Sequence, residues 1–249
     1  MDNIPPTSLS AMVDFIVASV CAVVIYFRRK SIGKENILTA NFLRVFIVLS
    51  FGFFLFTLPS TVIFDPTIVQ LLSTFGNASF IIAMSFLIFV PARIFSLEDR
   101  KTKVLSWILI TSALSYIAIN LILFKPAEVI YFKPFVDWRE GTIPIMQVVL
   151  WFLVASSLLW MAILFVVRGW FHQDSLTRRR SRIYAVGFTL IFIGWLVILL
   201  FQISASKNPL ILFGGGSLGC AFISLGMIML LVATISKDSP VLKNQQPAG

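Results

Sequence analysis

The sequence predicts an all-α integral membrane protein, a bundle of seven transmembrane helices with its N-terminus outside and its C-terminus in the cytoplasm. Three observations predict it. Of the 249 residues, 58% are hydrophobic and only 12% are charged, where a soluble domain carries about a quarter. Seven apolar runs are each long enough to cross a hydrocarbon core, which takes about 20 residues. Sixteen of the twenty Lys and Arg residues fall on alternate connections, and basic residues gather on the cytoplasmic side of a membrane.

The first span is expected over Leu9–Phe27, and Arg28-Arg29-Lys30 hold its end in the cytoplasm. Residues 1–8 carry Asp2, Pro5 and Pro6 but no basic start, so they read as a short extracytoplasmic N-terminus and not as a signal peptide. The second and third spans, Asn41–Phe64 and Thr67–Phe95, are separated only by Asp65-Pro66, which forces them to be antiparallel neighbours. The third leaves the bilayer near Pro91 and Arg93. The fourth covers Val104–Phe124 and the fifth Ile143–Val167. The connection between them holds Glu128, Tyr131, Trp138 and Glu140, and its aromatic residues suit a membrane surface, as a short hairpin or helix. The sixth span, Ile183–Ile203, follows an Arg-rich run, and the seventh covers Leu210–Ile235. Residues 9–235 thus form one membrane domain. Residues 236–249 are polar, contain Pro240 and Pro247, and read as a disordered cytoplasmic tail.

The formal charge of +9 is a topology signal. It implies contact with anionic headgroups and no nucleic acid. Cys21 and Cys220 both lie inside apolar runs, so no disulfide framework is expected. His172 is the single histidine and lies in a loop, which excludes haem held by paired intramembrane histidines and a His-rich metal site. The seventh span has no interior lysine for a retinal Schiff base. The third ends in Pro91-Ala92-Arg93-Ile94, unlike the acidic-Arg-Tyr triplet of family A G-protein-coupled receptors. No carboxylate pair, histidine cluster or activated nucleophile appears, so no enzyme, cofactor or metal is expected.

Asp14 is the one carboxylate within a predicted span, and an ionisable residue there is costly unless paired or wetted. Gln70, Asn120, Gln147 and Gln202 lie at comparable depth near the same ends of other spans. Together with Asp14 they are the candidate ligand-binding residues of an outward-facing pocket. The competing reading is that span ends are simply more polar than span middles. Arg178, Arg179, Arg180 and Arg182 are the candidate docking face for anionic lipid or an acidic protein partner, with a plain topology anchor as the alternative. Gly214-Gly215-Gly216-Ser217-Leu218-Gly219 opens the seventh span. Gly215 and Gly219 share the spacing that lets helices approach closely, within the bundle or across a homodimer.

The layout resembles the seven-helix N-terminal sensor region of bacterial histidine kinases. The resemblance rests on the basic loop Arg28 to Lys34, the nearly loopless turn after the second span, and Phe75-Gly76-Asn77-Ala78-Ser79-Phe80 running on to Pro91-Ala92-Arg93. It also rests on the Arg-rich stretch that opens a span containing Gly187 and Gly194. It covers Leu9 to about Ile235. It implies a sensor of the cell membrane whose output would pass through a partner chain, since the sequence carries only 14 residues after Ile235. The leading expectation is therefore a non-enzymatic, multi-pass sensor or partner-binding module. The alternatives are a structural subunit of a larger membrane complex, or a transporter or channel, which would need a continuous polar track through spans that read as apolar.

Overall fold

The structure, a computed structural model, describes residues 6–32, 37–59, 61–132, 135–204 and 209–236. The expectations for residues 1–5 and for the tail from 237 lie outside the described residues. Among the described residues eight α-helices occur: α1 (Pro6–Ile32), α2 (Ile37–Thr57), α3 (Pro66–Leu87), α4 (Phe89–Ile94), α5 (Asp99–Ile122), α6 (Pro144–Leu164), α7 (Ser175–Ser204) and α8 (Pro209–Ile235). Strands β1 (Glu128–Phe132) and β2 (Phe135–Arg139) form an antiparallel hairpin between α5 and α6, with Glu128 opposite Arg139. With α3 and α4 taken as one, seven helical stretches are long and apolar enough to cross a membrane, so the chain has the architecture of a multi-pass helical bundle.

Local chemistry sets the element ends. Asp65 caps α3, its carboxylate accepting from the Thr67 and Ile68 amides at 2.8 and 3.0 Å. Pro66 follows at the first helical position, where its missing N–H costs nothing. The break between α3 and α4 falls four residues before Pro91, because a proline ring clashes with the carbonyl four residues back and leaves it without a donor. At the other end of the chain, Arg180 donates to the Ser236 carbonyl and, at 3.1 Å, to its hydroxyl. A cation is thereby placed on the C-terminal dipole of α8.

Six of the seven stretches close a ring in the order α1, α2, α3, α6, α7, α8, each packing on the next and α8 returning to α1. Aromatic side chains fill it. Trp195 meets Phe80 and Trp151 edge to face, with centroids 4.9 and 4.7 Å apart, and Tyr184 stacks on Phe42 at 5.5 Å. Phe165, at the start of a π-helical turn over Phe165–Gly169, joins Tyr184 and Phe188. Helix α5 stands outside this ring. It packs on α3 and scarcely touches α6. The consequence is visible in burial: 28% of α5's apolar stretch is covered, against 78% for α3.

The closest helix pair is α7 with α8, and glycine makes it possible. Gly194 lies opposite Gly219, and Gly187 opposite Gly226. A Cβ on Gly219 would meet the Gly194 carbonyl at 2.7 Å, and one on Gly226 would meet that of Gly187 at 2.7 Å. Seven residues separate the members on each helix, so both contacts fall on one antiparallel seam where backbones touch. Gly219, considered above for a dimer face, thus stands against α7 of its own chain. Gly214 differs, with open space around its would-be Cβ.

Replacing Gly194 or Gly219 by Leu is expected to cost at least about 1–3 kcal/mol through overpacking, seen as a large fall in Tm and in monodisperse yield from detergent. Gly214→Ala is expected to leave both near wild type. Equal effects at Gly194 and Gly214 would remove the seam as an explanation.

Candidate functional site

The most connected polar cluster lies at the hairpin end of the bundle, where β2 leads into α6. Its foundation is one face of α3. Gln70, Thr74 and Asn77 recur at intervals of four and three residues, so they share a stripe, and all three are buried. Gln70 serves the chain leaving the hairpin. Its side-chain oxygen accepts from the Gly141 amide at 2.7 Å, and its side-chain nitrogen donates to the Thr142 hydroxyl at 3.1 Å. Thr74 lies beneath it, donating to the Gln70 carbonyl at 2.9 Å.

This anchoring carries Glu140 inward. The Asn77 amide nitrogen donates to Glu140 Oε2 at 3.0 Å and to the Tyr116 hydroxyl of α5 at 3.2 Å. Thr142 donates to the same carboxylate oxygen at 3.4 Å, and Gln147 of α6 also hydrogen-bonds the group. Three helices and the hairpin therefore converge on one carboxylate. Among the described residues the partners are all uncharged. The nearest basic side chain in sequence on the other hairpin arm, Lys125, pairs with Glu128 at 3.5 Å. Burial pushes the Glu140 carboxyl above the usual carboxylate range, and the hydrogen bonds from Asn77, Thr142 and Gln147 offset that only in part.

Gly141 makes the inward turn sterically feasible. A Cβ there would lie 2.2 Å from the Lys125 carbonyl oxygen and 2.6 Å from that of Pro126. The Ala127 amide, from the same segment, donates to the Pro66 carbonyl at 3.2 Å. Both ends of the hairpin are thus tied to the beginning of α3.

The predicted pocket residues divide. Gln70 and Gln147 join this cluster through Thr142 and Glu140. Asn120 is buried one turn along α5 from Tyr116, and its amide donates to the Tyr116 carbonyl at 2.8 Å. Asp14 lies elsewhere, fully buried between α1 and α8, where it accepts from Ser224 and meets Cys220. Ser10 and Ser217 add a 2.9 Å contact on the same seam. The side chain of Gln202 lies outside the described residues. Of the predicted docking arginines, Arg180 caps α8, Arg182 lies over the Trp170 ring at 5.1 Å, Arg178 is half-buried and Arg179 is exposed.

Sequence reading missed Asn77, Tyr116 and Thr142 as site residues and left Glu140 in a surface loop. The polar stripe on α3 was a usable signal. The inward path of Glu140 was not, because it depends on contacts across about 70 residues of chain. No protein-family model matches the chain, and no curated protein matches it in sequence.

Between α5 and α6, beside the cluster, runs a cleft of about 420 Å³. Ile81 of α3 and Tyr116 form its back. Ile108, Thr111, Ser112 and Ser115 of α5 face Met146, Val149 and Leu150 of α6. Tyr116 belongs to both the cleft and the polar cluster.

Gly141→Ala and Gln70→Leu are each expected to cost about 1–3 kcal/mol, the first by overpacking and the second by leaving the Gly141 N–H unpaired. Both act on one contact, so the double variant should lose less than the sum. Thermal melts of the four proteins in one detergent measure the cycle, and strict additivity would show that the contact is not shared.

Proposed function

We propose that this chain is a non-enzymatic sensor module of the cell membrane, comparable to the seven-helix sensor regions it resembles, with its ligand site at Glu140. The observation that carries this reading is a carboxylate drawn into the bundle and held there, among the described residues, by the neutral side chains of Asn77, Thr142 and Gln147. Such a group costs free energy in the empty protein. A ligand that neutralises or hydrogen-bonds it gains affinity from relieving that cost, and the protein changes when it does.

The route for that change follows the packing. Glu140 and Thr142 immediately precede α6, and Asn77 and Tyr116 belong to α3 and α5, so binding acts on the α3–α6 junction of the ring and on the helix outside it. At the basic end, α6 continues through its π-helical turn to Gly169, where a Cβ would meet Ser181 of α7 at 2.2 Å. Movement of α6 is therefore felt within the Arg178 to Arg182 segment. A ligand shifts such an equilibrium only by its difference in affinity for the two states.

In this reading the hairpin end faces outward and the arginine end faces the cytoplasm. Arg179, with Arg178, offers a docking surface to anionic headgroups or an acidic partner. In intact cells, Val62→Cys is expected to react with an impermeant thiol reagent and Gln173→Cys only after lysis, both in a background with Cys21→Ala and Cys220→Ser. The opposite pattern would invert the orientation.

Proton binding at Glu140 serves as the first probe of the site. The folded protein holds this proton to higher pH than the unfolded chain. The stability linked to this group is therefore greatest below the unfolded pKa and is lost as pH rises through the folded one. Glu140→Gln is expected to raise Tm at pH 8, leave it nearly unchanged at pH 4, and flatten the slope between them. A bimane label on Arg179→Cys in nanodiscs tests coupling to the far end. Its emission should change with pH over the Glu140 titration and lose that component in Glu140→Gln. Identical profiles in both proteins would overturn the sensor reading.

A further inference from the structure

The proposed site leaves its ligand class open, and the α5–α6 cleft bears on it. This inference rests on the reading of Glu140 as a ligand site. The cleft volume of about 420 Å³ lies in the range of pockets that hold small molecules, about 300–1,000 Å³. It runs from Ile108 to Ile119 along α5, eleven residues or about 16 Å of helix. Its shape is that of a slot, long and narrow, with mostly aliphatic walls. The Thr111 and Ser112 hydroxyls do not make it a polar channel, because each donates to a carbonyl of its own helix, that of Trp107 and that of Ile108.

The entrance faces sideways. Helix α5 lies outside the ring and scarcely meets α6, so the slot opens between two helices whose other faces are exposed hydrophobics. Trp107 is 67% exposed and Phe152 71%. For a chain in a bilayer, that opening meets lipid and not water. A molecule entering there needs an apolar tail. Its other end meets Tyr116, which the cleft shares with the polar cluster, and beyond it Asn77, which bridges the Tyr116 hydroxyl to the Glu140 carboxylate. Among the described residues that carboxylate has only neutral hydrogen-bond partners, whereas a buried or half-buried carboxylate ordinarily finds a cation. A positive charge is the partner that the described residues do not supply.

We propose that the α5–α6 cleft binds a single-chain amphiphile bearing a protonated amine, taken from the bilayer, with its tail between α5 and α6 and its ammonium directed to the Tyr116 hydroxyl and Glu140. The amine supplies the donors and charge that Asn77 and Thr142 cannot. The tail fills a slot that is otherwise open to lipid, and this draws α5 toward the ring.

The test uses protein in phosphatidylcholine nanodiscs, whose neutral surface does not concentrate cations, and three probes with one tail: dodecylamine, dodecanol and dodecanoate. Dodecylamine is expected to raise Tm with saturation, dodecanol to raise it weakly, and dodecanoate to have no saturable effect. Glu140→Gln should weaken the amine about tenfold or more, the scale of a lost charge-assisted hydrogen bond, while leaving the alcohol unchanged. Ser115→Trp, which fills the slot from a lipid-exposed position, should abolish all responses while folding as wild type. Equal responses to the three head groups would overturn recognition of a cation. An amine response that survives Ser115→Trp would overturn the cleft, and no saturable response to dodecylamine would overturn the inference as a whole. The Arg179 label separates this from the sensor reading. Saturable binding without a change in its emission sinks the sensor and keeps the ligand site. A pH-dependent emission without amine binding does the reverse.

Discussion

The architecture depends on how chain that is not helical can be accommodated inside an apolar bundle. Hydrocarbon offers no hydrogen bonds, so every amide that leaves a helix there needs a protein partner. Gln70 meets this requirement at the base of the hairpin, where one side-chain amide accepts from the Gly141 N–H and donates to Thr142. Without that pairing, Gly141 and Thr142 would have to return to water, and Glu140 with them. The inward carboxylate and the tie between α3 and the segment that leads into α6 follow from this one contact.

The same constraint explains how α3, the most buried of these stretches, carries Gln70, Thr74 and Asn77 inside the bundle. A helix at the centre of a bundle touches protein on every side, so its polar side chains find partners there that lipid would refuse. Asn77 bridges Tyr116 and Glu140, and Gln70 holds Gly141 and Thr142. Helix α5, which lies outside the ring, keeps Thr111 and Ser112 by turning their hydroxyls onto its own carbonyls. Polarity is therefore distributed by surroundings, and depth along a span is a poor guide to it.

That distinction separates what the sequence made legible from what it did not. The spans were readable as apolar runs, and some of their boundaries act locally: Asp65 caps, Pro66 starts and Pro91 breaks; the second span was overread, since α2 ends at Thr57 and not at Phe64, leaving residues 58–65 as the connection. The glycine seam was readable in part: the Gly215 and Gly219 spacing announced close approach, but not that Gly219 meets Gly194 or that Gly187 and Gly226 continue the seam. The site was not readable as a unit. Asp14, Gln70, Asn120, Gln147 and Gln202 are equivalent when judged by depth alone, yet helix rotation sends Asp14 to the α1–α8 seam and Asn120 onto its own helix's carbonyl. Rotation is fixed by packing partners, which one amphipathic period cannot report when most faces are apolar.

Two carboxylates, Asp14 fully buried and Glu140 partly so, then stand in contrast. Asp14 is enclosed by a continuous seam, with Ser224 and Cys220 on α8 and a serine pair one turn away. Hydrogen bonds of this kind join membrane helices at about 0.6 kcal/mol each on average. Those bonds hold α1 to α8. Glu140 has the same chemistry beside the opposite geometry: a half-exposed group at the end of a tethered loop, bounded on one side by a tyrosine that also lines an open slot. A carboxylate sealed between two packed helices fixes a structure. One that joins three helices at the edge of a cavity can be relieved by something that enters, and the helix with fewest contacts, α5, is the element free to answer.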